Sequence, residues 1–237
     1  MMYAATSRNR PTRSQQAGVL AAALFDVDGT LVDTTALIRE AVTQVLQEDG
    51  ITPTWEDLKA GWTLRAADRM RRWARSAEHA GDLADRYERR YLELHDTLVR
   101  AYAGMAEALA TLAARGIALA VVTSKRRRPA LRTLTTFGYD RHFNVIITED
   151  DGLPPKPDPA PLVAATKRLG FAVSAAVMVG DGVVDVQAGA AAEMRTAGAL
   201  WGTVDADTLR AAGPDWLLVR PADLLTLPWR ASTGTDR

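Results

Sequence analysis

Cysteine is absent from this chain of 237 residues, and so is an excess of either charge. The lack of cysteine excludes disulfides and thiolate metal sites, and it is compatible with a reducing cytoplasm. Lysine plus arginine and aspartate plus glutamate both number 29, so charge gives no reason to expect nucleic acid or an anionic membrane as a partner. No apolar run reaches the roughly 18 residues of a membrane span. We therefore expect a cytoplasmic protein that binds neither nucleic acid nor membrane, and its oligomeric state stays open.

The segment up to residue 17 is polar and shows no hydrophobic period. Such a composition predicts a disordered tail, with a misassigned start or a basic binding arm as alternatives. The apolar run that follows leads directly into candidate catalytic residues, so we do not expect a cleaved signal peptide there. With 47% hydrophobic residues, the chain can bury a full core and a smaller module.

Asp26 and Asp28 follow an unbroken apolar run at residues 18–25, which is typical of a strand buried on both faces of a parallel sheet. Ligands of open α/β sheets bind at the carboxyl ends of the strands, so both carboxylates are expected to face a cleft. Gly29 lets the backbone turn sharply and approach a ligand. Asp26 is our candidate nucleophile, which would accept a phosphoryl group and release it to water. Asp28 would act as acid and base, with Thr30 holding it by a hydrogen bond. Gly29 and Thr30 are also candidate contacts for the phosphate of the substrate.

A hard divalent cation is expected beside these carboxylates, because an anionic nucleophile repels an anionic phosphate. Mg²⁺ would be held by the Asp26 side chain, the Asp28 backbone carbonyl and Asp181. The last of these ends a second apolar run at residues 175–180. Asp185 follows one helical turn later and would support the ligand shell.

Lys156 and Thr123 complete the predicted catalytic group. Lys156 lies in a proline-rich stretch at residues 153–161, where fixed φ angles restrict its direction, and it would neutralise nucleophile and phosphate together. Thr123 ends the apolar run 117–122, and its hydroxyl and the N–H groups of Ser124 and Lys125 would bind phosphoryl oxygens. Each feature alone also fits a helix cap, a solvated lysine or a strand residue. Their occurrence together, in order, favours a phosphate-transfer site.

These segments resemble the four motifs of the haloacid dehalogenase superfamily, and the resemblance covers residues 19–227. Residues 26–33, 121–125, 156–159 and 179–185 are similar to the first, second, third and fourth motif. The string from Ala188 to Gly198 looks most like the branch of phosphoglycolate phosphatases and pyrophosphatases. The resemblance implies a Mg²⁺-dependent phosphatase with an aspartyl-phosphate intermediate.

Position 28 separates chemistries within the superfamily. Dehalogenases lack an aspartate there and phosphonatases generally have a small residue, so Asp28 favours a phosphatase or a phosphomutase. Two positions depart from the common pattern: Ser124 stands where many relatives have Asn, and Gly182 where Ser or Thr is common. Both residues are small enough to leave the mechanism intact, but they bear on contacts with phosphate or substrate.

Alternating helix and strand patterns after residue 104 predict a Rossmann-like, three-layer α/β fold with a parallel sheet. Helical patterns instead occupy residues 34–103, including stretches at 65–77 and 82–98. The predicted division is an α/β core at 18–33 and 104–237, interrupted by residues 34–103, which we call the cap segment. An all-helical insertion at this point resembles the superfamily's cap domain, which implies closure over the active site and exclusion of water.

Substrate choice is expected to depend on the cap segment. Arg65 and Arg69 flank an apolar helical stripe and are candidates to bind a second anionic group of the substrate, whereas a solvated arginine face is the ordinary alternative. The leading function is hydrolysis of a small phosphorylated metabolite, such as phosphoglycolate, or of pyrophosphate. A sugar phosphomutase resembling β-phosphoglucomutase shares both aspartates, and a catalytically silent binding module on the same fold is the third possibility.

Overall fold

A six-stranded parallel sheet forms the centre of the molecule. The computed structural model describes residues 19–62, 64–202 and 205–231. The strands of the sheet are β1 (Ala22–Phe25), β4 (Ala118–Val122), β5 (Val145–Ile147), β6 (Ala176–Gly180), β7 (Arg195–Ala199) and β8 (Trp216–Leu218). Their spatial order is β5-β4-β1-β6-β7-β8, and every neighbouring pair is parallel. The predicted α/β fold is confirmed.

Two layers of helices cover the sheet. They are α5 (Met105–Ala114), α6 (Arg127–Thr136), α7 (Ala160–Leu169), α8 (Val183–Ala191) and α9 (Ala206–Ala211). Ala22 and Leu24 of β1 pack in an apolar cluster with residues of α7 and α8, whereas Ala23 and Phe25 pack in a second cluster with residues of α5 and α6. Because successive strand residues point to opposite faces, burial on both sides explains the unbroken apolar run.

A group of helices lies between two short strands, β2 (Val32–Asp33) and β3 (Arg100–Ala101), which pair antiparallel. The helices are α1 (Thr35–Glu48), α2 (Trp55–Lys59), α3 (Ala66–Arg71) and α4 (Ala77–Leu98). Arg86 of α4 links to α1 through Glu48 and Asp49, at N–O distances of 2.7 and 2.8 Å. The same guanidinium also donates to the Val45 carbonyl. The division at residues 34 and 103 into core and cap segment stays a prediction.

Two helix boundaries in the cap segment differ from the sequence prediction. The helix expected at 65–77 ends at Arg71, and the one expected at 82–98 already begins at Ala77. Ser76 separates them, because its hydroxyl accepts a hydrogen bond from the His79 N–H and caps α4. A serine five residues after the end of α3 was the available signal for this break.

Residues 229 and 230 are held against the segment that leads into β1, although the polar composition of residues 229–237 predicts a frayed end. The Leu20 N–H donates to the Pro228 carbonyl, and the Arg230 N–H donates to the Leu20 carbonyl at 2.7 Å. The Trp229 indole N–H donates to the Leu224 carbonyl. The predicted tail at 1–17 and the residues after 231 lie outside the described residues. Among the helices that the structure describes, none is long and apolar enough to cross a membrane.

Candidate active site

The carboxyl ends of β1, β4 and β6 open into a cleft between the sheet and the cap segment. Its volume is about 770 Å³, including the part that is open to solvent. The predicted residues that line it are Asp26, Asp28, Thr123, Ser124, Lys125, Lys156, Asp181 and Asp185. The cap segment contributes Trp62, Leu64, Ala66, Arg69, Tyr87, Glu88 and Tyr91. The structure therefore places residues more than 150 positions apart in the chain, such as Asp26 and Asp181, around one space.

Lys156 lies between two carboxylates at the base of the cleft. Its Nζ is 2.6 Å from Asp185 Oδ1 and 3.2 Å from Asp26 Oδ1, and it also donates to the Val122 carbonyl. The Lys156 and Asp185 side chains are each only 2% exposed. Burial lowers the pKa of Lys156, but the two carboxylates outweigh burial and raise it above its ordinary value. The ammonium therefore stays charged beside the candidate nucleophile.

Asp185 also stabilises its own helix. Its Oδ2 accepts a hydrogen bond from the Gly182 N–H at the first turn of α8, while Oδ1 takes the Lys156 ammonium. Both oxygens thus have protein donors, and a helix N-terminus favours the negative charge. The arrangement orients Lys156 and fits the supporting position that the sequence predicted.

Asp181 is held by Thr30 and closely surrounded by glycine. The Thr30 hydroxyl donates to Asp181 Oδ1 at 2.9 Å, and it accepts from the Asp181 N–H. The expectation that Thr30 holds Asp28 is wrong, because this buried hydroxyl serves Asp181 instead. A Cβ added to Gly29, whose φ is +76°, would lie 2.2 Å from Asp181 Oδ2. Gly29 and Thr30 therefore position Asp181, and neither lines the cleft where phosphate was expected to contact them.

Asp26, Asp181 and Asp185 offer a set of oxygens that fits a hard cation. One oxygen from each carboxylate lies within 4.8 Å of the others. Asp26 Oδ1 is buried and lacks a hydrogen bond of good geometry, even with Lys156 at 3.2 Å. Burial, followed by repulsion from neighbouring carboxylates, raises the pKa of Asp26 to about 6 and that of Asp181 to about 8. Concentrated negative charge of this kind is what a divalent ion with oxygen ligands would offset.

Asp28 is paired with Lys125. The Lys125 Nζ lies 2.9 and 2.8 Å from the two Asp28 carboxylate oxygens. The same ammonium donates to the Tyr91 hydroxyl at 2.7 Å. The sequence predicted Lys125 as a contact for phosphate but gave no sign of this pairing, which joins the loop after β4, the loop after β1 and helix α4.

Thr123 and Ser124 lie at the cleft as predicted, directly after β4. The Lys125 N–H donates to the Thr123 hydroxyl at 3.3 Å, which turns the backbone away from the strand direction. The Thr123 N–H is taken by the Ile147 carbonyl of β5.

The two cap-segment arginines differ in how many of their N–H donors the protein itself uses. Arg69 is 6% exposed, and its guanidinium donates to the Gly61, Trp62 and Leu64 carbonyls and to the Tyr87 hydroxyl. Arg65 donates one N–H to the Leu153 carbonyl, its buried Nε lacks a partner, and it lines a small pocket with Thr123 and Lys156. The expected binding of a substrate anion does not fit the contacts of Arg69, whereas for Arg65 it stays a prediction.

Three residues at the site were missed by the sequence analysis. Tyr91 contacts Lys125, Trp201 donates its indole N–H to the Thr30 carbonyl, and Gly202 lies against Asp181. A Cβ on Gly202 would be 2.2 Å from Asp181 Cβ. The recurrence of Tyr87, Tyr91 and His95 at four-residue intervals was a visible signal for one shared helix face. No sequence pattern pointed to Trp201 or Gly202.

Comparison with known proteins agrees with this geometry. Residues 23–199 match the family model of haloacid dehalogenase-like hydrolases. The pyrophosphatase PpaX of Bacillus velezensis is 36% identical over 86% of this chain and 94% of its own length. The phosphoglycolate phosphatase of Pectobacterium atrosepticum is 32% identical over 88% and 92%.

A solved structure is also similar. The crystal structure of a predicted phosphoglycolate phosphatase from Haemophilus somnus has a TM-score of 0.79 and 25% identity, covering 87% of this chain and 97% of its own. The match to the family model spans most of the chain, including the strands that carry Asp26, Thr123 and Asp181. The chain belongs to the haloacid dehalogenase-like hydrolases.

Proposed function

We propose that this protein is a Mg²⁺-dependent phosphatase that hydrolyses a small phosphorylated metabolite or pyrophosphate through a phosphorylated Asp26. The observation that carries the proposal is the cluster of Asp26, Asp181 and Asp185 at the carboxyl edge of the sheet, in which Asp26 and Asp185 pair with the buried ammonium of Lys156. A carboxylate beside a fixed cation is equipped to attack an anionic phosphate, whose own charge would otherwise repel it.

Asp26 would attack phosphorus and form an aspartyl-phosphate, while the bond from phosphorus to the leaving oxygen breaks. Lys156, 3.2 Å from Asp26 Oδ1, would offset charge on the nucleophile and on the transferring group. The Thr123 hydroxyl and the backbone at Ser124 would contact phosphoryl oxygens. Because these groups follow strand ends in a buried sheet, they are held in place before the substrate binds.

Asp28 would deliver a proton to the leaving oxygen and then take one from the water that hydrolyses the aspartyl-phosphate. Its carboxylate is only partly exposed, and Lys125 fixes both of its oxygens. The two steps use the same carboxyl group in opposite protonation states, so no further base is required.

Asp26, Asp181 and the Asp28 backbone carbonyl are the proposed ligands of Mg²⁺, with Asp185 in support. The ion would supply positive charge that binds the phosphate and offsets the negative charge of the site. The buried Asp26 Oδ1 that lacks a well-formed hydrogen bond is the observation that supports an oxygen-coordinated cation here.

The leaving group is expected to be small and to carry its own negative charge. Lys125 lies beside Asp28 at the cleft, so its positive charge would attract a second anionic group of the substrate. The donors of Arg69 are used by cap-segment carbonyls and by Tyr87. Phosphoglycolate and pyrophosphate both have this charge pattern, and relatives of this chain are named for them.

The test is release of inorganic phosphate from phosphoglycolate, pyrophosphate, sugar phosphates and nucleotides, with Mg²⁺ and with EDTA. We expect Mg²⁺-dependent release that Asp26→Asn abolishes. Asp140→Asn, which removes a carboxylate remote from the cleft, is the matched control and should keep wild-type activity. Trapping of ³²P-phosphate on the protein, lost in Asp26→Asn, would support the covalent intermediate.

Activity that Asp26→Asn retains in full would refute the covalent mechanism. Turnover of a sugar phosphate only with a sugar bisphosphate activator would instead indicate a phosphomutase. Absence of release from every compound, with intact folding, would favour a silent binding module.

A further inference from the structure

The most developed polar network next to the cleft leads away from it, through a side chain to which the proposed mechanism gives no task. Tyr91 of α4 is 1% exposed, and its hydroxyl points at the Lys125 ammonium, 2.7 Å away. The ammonium also lies 4.0 Å from the centre of the Tyr91 ring. Lysine has three donors, and here two serve Asp28 and one serves Tyr91. The direction of the ammonium is therefore fully specified.

The Tyr91 hydroxyl is also linked to helix α6. Its hydroxyl is 3.4 Å from the Thr133 hydroxyl of α6, which lies 2.9 Å from His95 Nε2. His95 is fully buried, and its Nδ1 is 2.8 Å from Asp96 Oδ1, which pairs with Arg132 at the surface through its other oxygen. The chain of contacts runs from Asp28 to the protein surface and joins α4 to α6.

One arrangement of protons satisfies every member of this chain. Lys125 donates to Tyr91, Tyr91 to Thr133, Thr133 to His95 Nε2, and His95 Nδ1–H to the Asp96 carboxylate. It requires a neutral His95, and burial lowers the pKa of this histidine in spite of Asp96. The Thr133 hydroxyl can also donate to the Pro129 carbonyl at 3.0 Å. In both arrangements the Tyr91 O–H has Thr133 as its acceptor.

We propose that Tyr91, supported by Thr133 and His95, is a positioning residue that holds the Lys125 ammonium on both oxygens of Asp28 and thereby orients this acid/base. The inference rests on the proposed function, since Asp28 must transfer protons for its orientation to matter. Lysine has a long flexible stem, so without the tyrosine hydroxyl the ammonium is free to move to other carboxylates at the cleft. An error of about 1 Å in a reacting group is enough to slow a reaction substantially.

The decisive variant is Tyr91→Phe, compared on two substrates. The leaving group of an alkyl phosphate such as phosphoglycolate is a strongly basic alkoxide, which needs a proton from Asp28. The leaving group of p-nitrophenyl phosphate is weakly basic and departs without this proton. We expect kcat/KM for phosphoglycolate to fall about ten-fold, with kcat/KM for p-nitrophenyl phosphate within about two-fold of wild type. This ratio reports the steps up to departure of the leaving group and excludes the hydrolysis of the aspartyl-phosphate that both substrates share. A purely structural defect would lower both ratios alike.

A double-mutant cycle asks whether Tyr91 acts through Lys125. In the Lys125→Met background, Tyr91→Phe should cost less than about two-fold further in kcat/KM for phosphoglycolate. Thr133→Val, which keeps the side-chain shape and removes the acceptor of the Tyr91 hydroxyl, should show the same substrate dependence with a smaller loss. Tyr139→Phe deletes another buried tyrosine hydroxyl remote from the cleft and should leave both substrates unaffected.

Equal losses of kcat/KM on both substrates, or the same loss with and without Lys125, would overturn the inference and leave the proposed function standing. A wild-type protein that releases phosphate from neither compound nor from any member of the wider panel would overturn both. Thermal unfolding of each variant shows whether a loss reflects folding. If Tyr91→Phe proves unstable, the substrate dependence of Thr133→Val decides the matter.

Discussion

Individual glycines at the site matter because of the atoms that they leave out. Gly29 and Gly202 approach Asp181 from two sides, and in each case a Cβ would come within 2.2 Å of its side chain. The metal carboxylate proposed at Asp181 therefore has its position set by the absence of side chains as much as by its hydrogen bonds with Thr30.

Gly29→Ala separates this crowding from ordinary backbone strain. Gly50 also has a positive φ, of +73°, but nothing lies within 4 Å of a Cβ there. Both substitutions should cost about 1 to 2 kcal/mol in unfolding free energy, because alanine is strained in this conformation. Only Gly29→Ala should also lower Mg²⁺-dependent phosphate release, by about 100-fold, since it displaces Asp181. Denaturant unfolding and phosphate release on the two variants test this, and equal activities would contradict it.

The carboxylates of the site should couple Mg²⁺ binding to pH. In the folded, metal-free protein the pKa of Asp26 is raised to about 6 and that of Asp181 to about 8, above the ordinary 3.8. Their contribution to stability is therefore fully present below about pH 4 and is lost as the pH rises through 6 and then 8. Because Mg²⁺ binds the ionised form, it should raise the melting temperature more at pH 8 than at pH 6.

The measurement is a set of thermal melts with Mg²⁺ and with EDTA at both pH values. Asp181→Asn should lose most of the Mg²⁺ effect, whereas Asp140→Asn should keep it. A Mg²⁺ effect that is larger at pH 6 than at pH 8 would show that the raised pKa values do not govern binding.

Helices α1 and α4 make the largest contact within the cap segment, and one arginine supports their junction. Arg86 bonds with Glu48, Asp49 and the Val45 carbonyl, and its side chain is 18% exposed. Asp49 Oδ2 also lies 2.6 Å from His79 Nε2. Arg86→Met should therefore leave acceptors at the junction unpaired.

Arg86→Met should lower the unfolding free energy by about 1 to 3 kcal/mol and leave kcat near wild type. The reason is that it breaks a partly buried network remote from the cleft. Arg71→Met is the control, because Arg71 is 67% exposed and pairs only with Asp68, so its loss should be within about 0.5 kcal/mol. Urea unfolding of both variants measures the two losses. Equal losses of unfolding free energy would show that the Arg86 network stabilises the protein no more than an exposed ion pair does.

The strands of the core could be predicted from sequence because parallel strands are buried on both faces and read as continuous apolar runs. The polar residues immediately after those runs could then be assigned to one edge of the sheet. Helix ends in the cap segment were harder to predict, since the break between α3, which ends at Arg71, and α4 depends on a local cap at Ser76. The placement of Arg69 was not accessible, because its partners are backbone carbonyls of a loop whose path the sequence pattern does not specify.

At the scale of the whole molecule, the two connections between the core and the cap segment lie side by side. Asp33 and Arg100 face each other in the β2–β3 pair, so the cap helices leave and return at nearly the same point. Replacing residues 35–99 with a short glycine-serine linker tests whether residues 34–103 form a separable unit.

The shortened protein should fold with lower stability, because part of the apolar cluster that includes α1 and α4 is lost. It should keep stabilisation by Mg²⁺, whose proposed ligands all belong to the core, and lose discrimination between phosphoglycolate and p-nitrophenyl phosphate. Thermal melts with and without Mg²⁺ and kinetics on both substrates are the readouts. A chain that no longer folds would mean that the division at residues 34–103 is wrong.

The central position of β1 has a consequence for biosynthesis. Ala22 of β1 pairs with Ala118 of β4 on one side and with Ala176 of β6 on the other. The first strand of the sheet is therefore synthesised well before both of the strands that pair with it. At about 5 to 20 residues per second, Asp181 leaves the ribosome roughly 8 to 30 s after Thr30. Until residues 118–122 emerge, the apolar segment Ala22–Phe25 has no partner strand, and the edge that pairs with β6 stays open until residues 176–180 follow. The nascent chain therefore carries its proposed nucleophile, Asp26, long before Asp181 and Asp185 complete the proposed phosphate site.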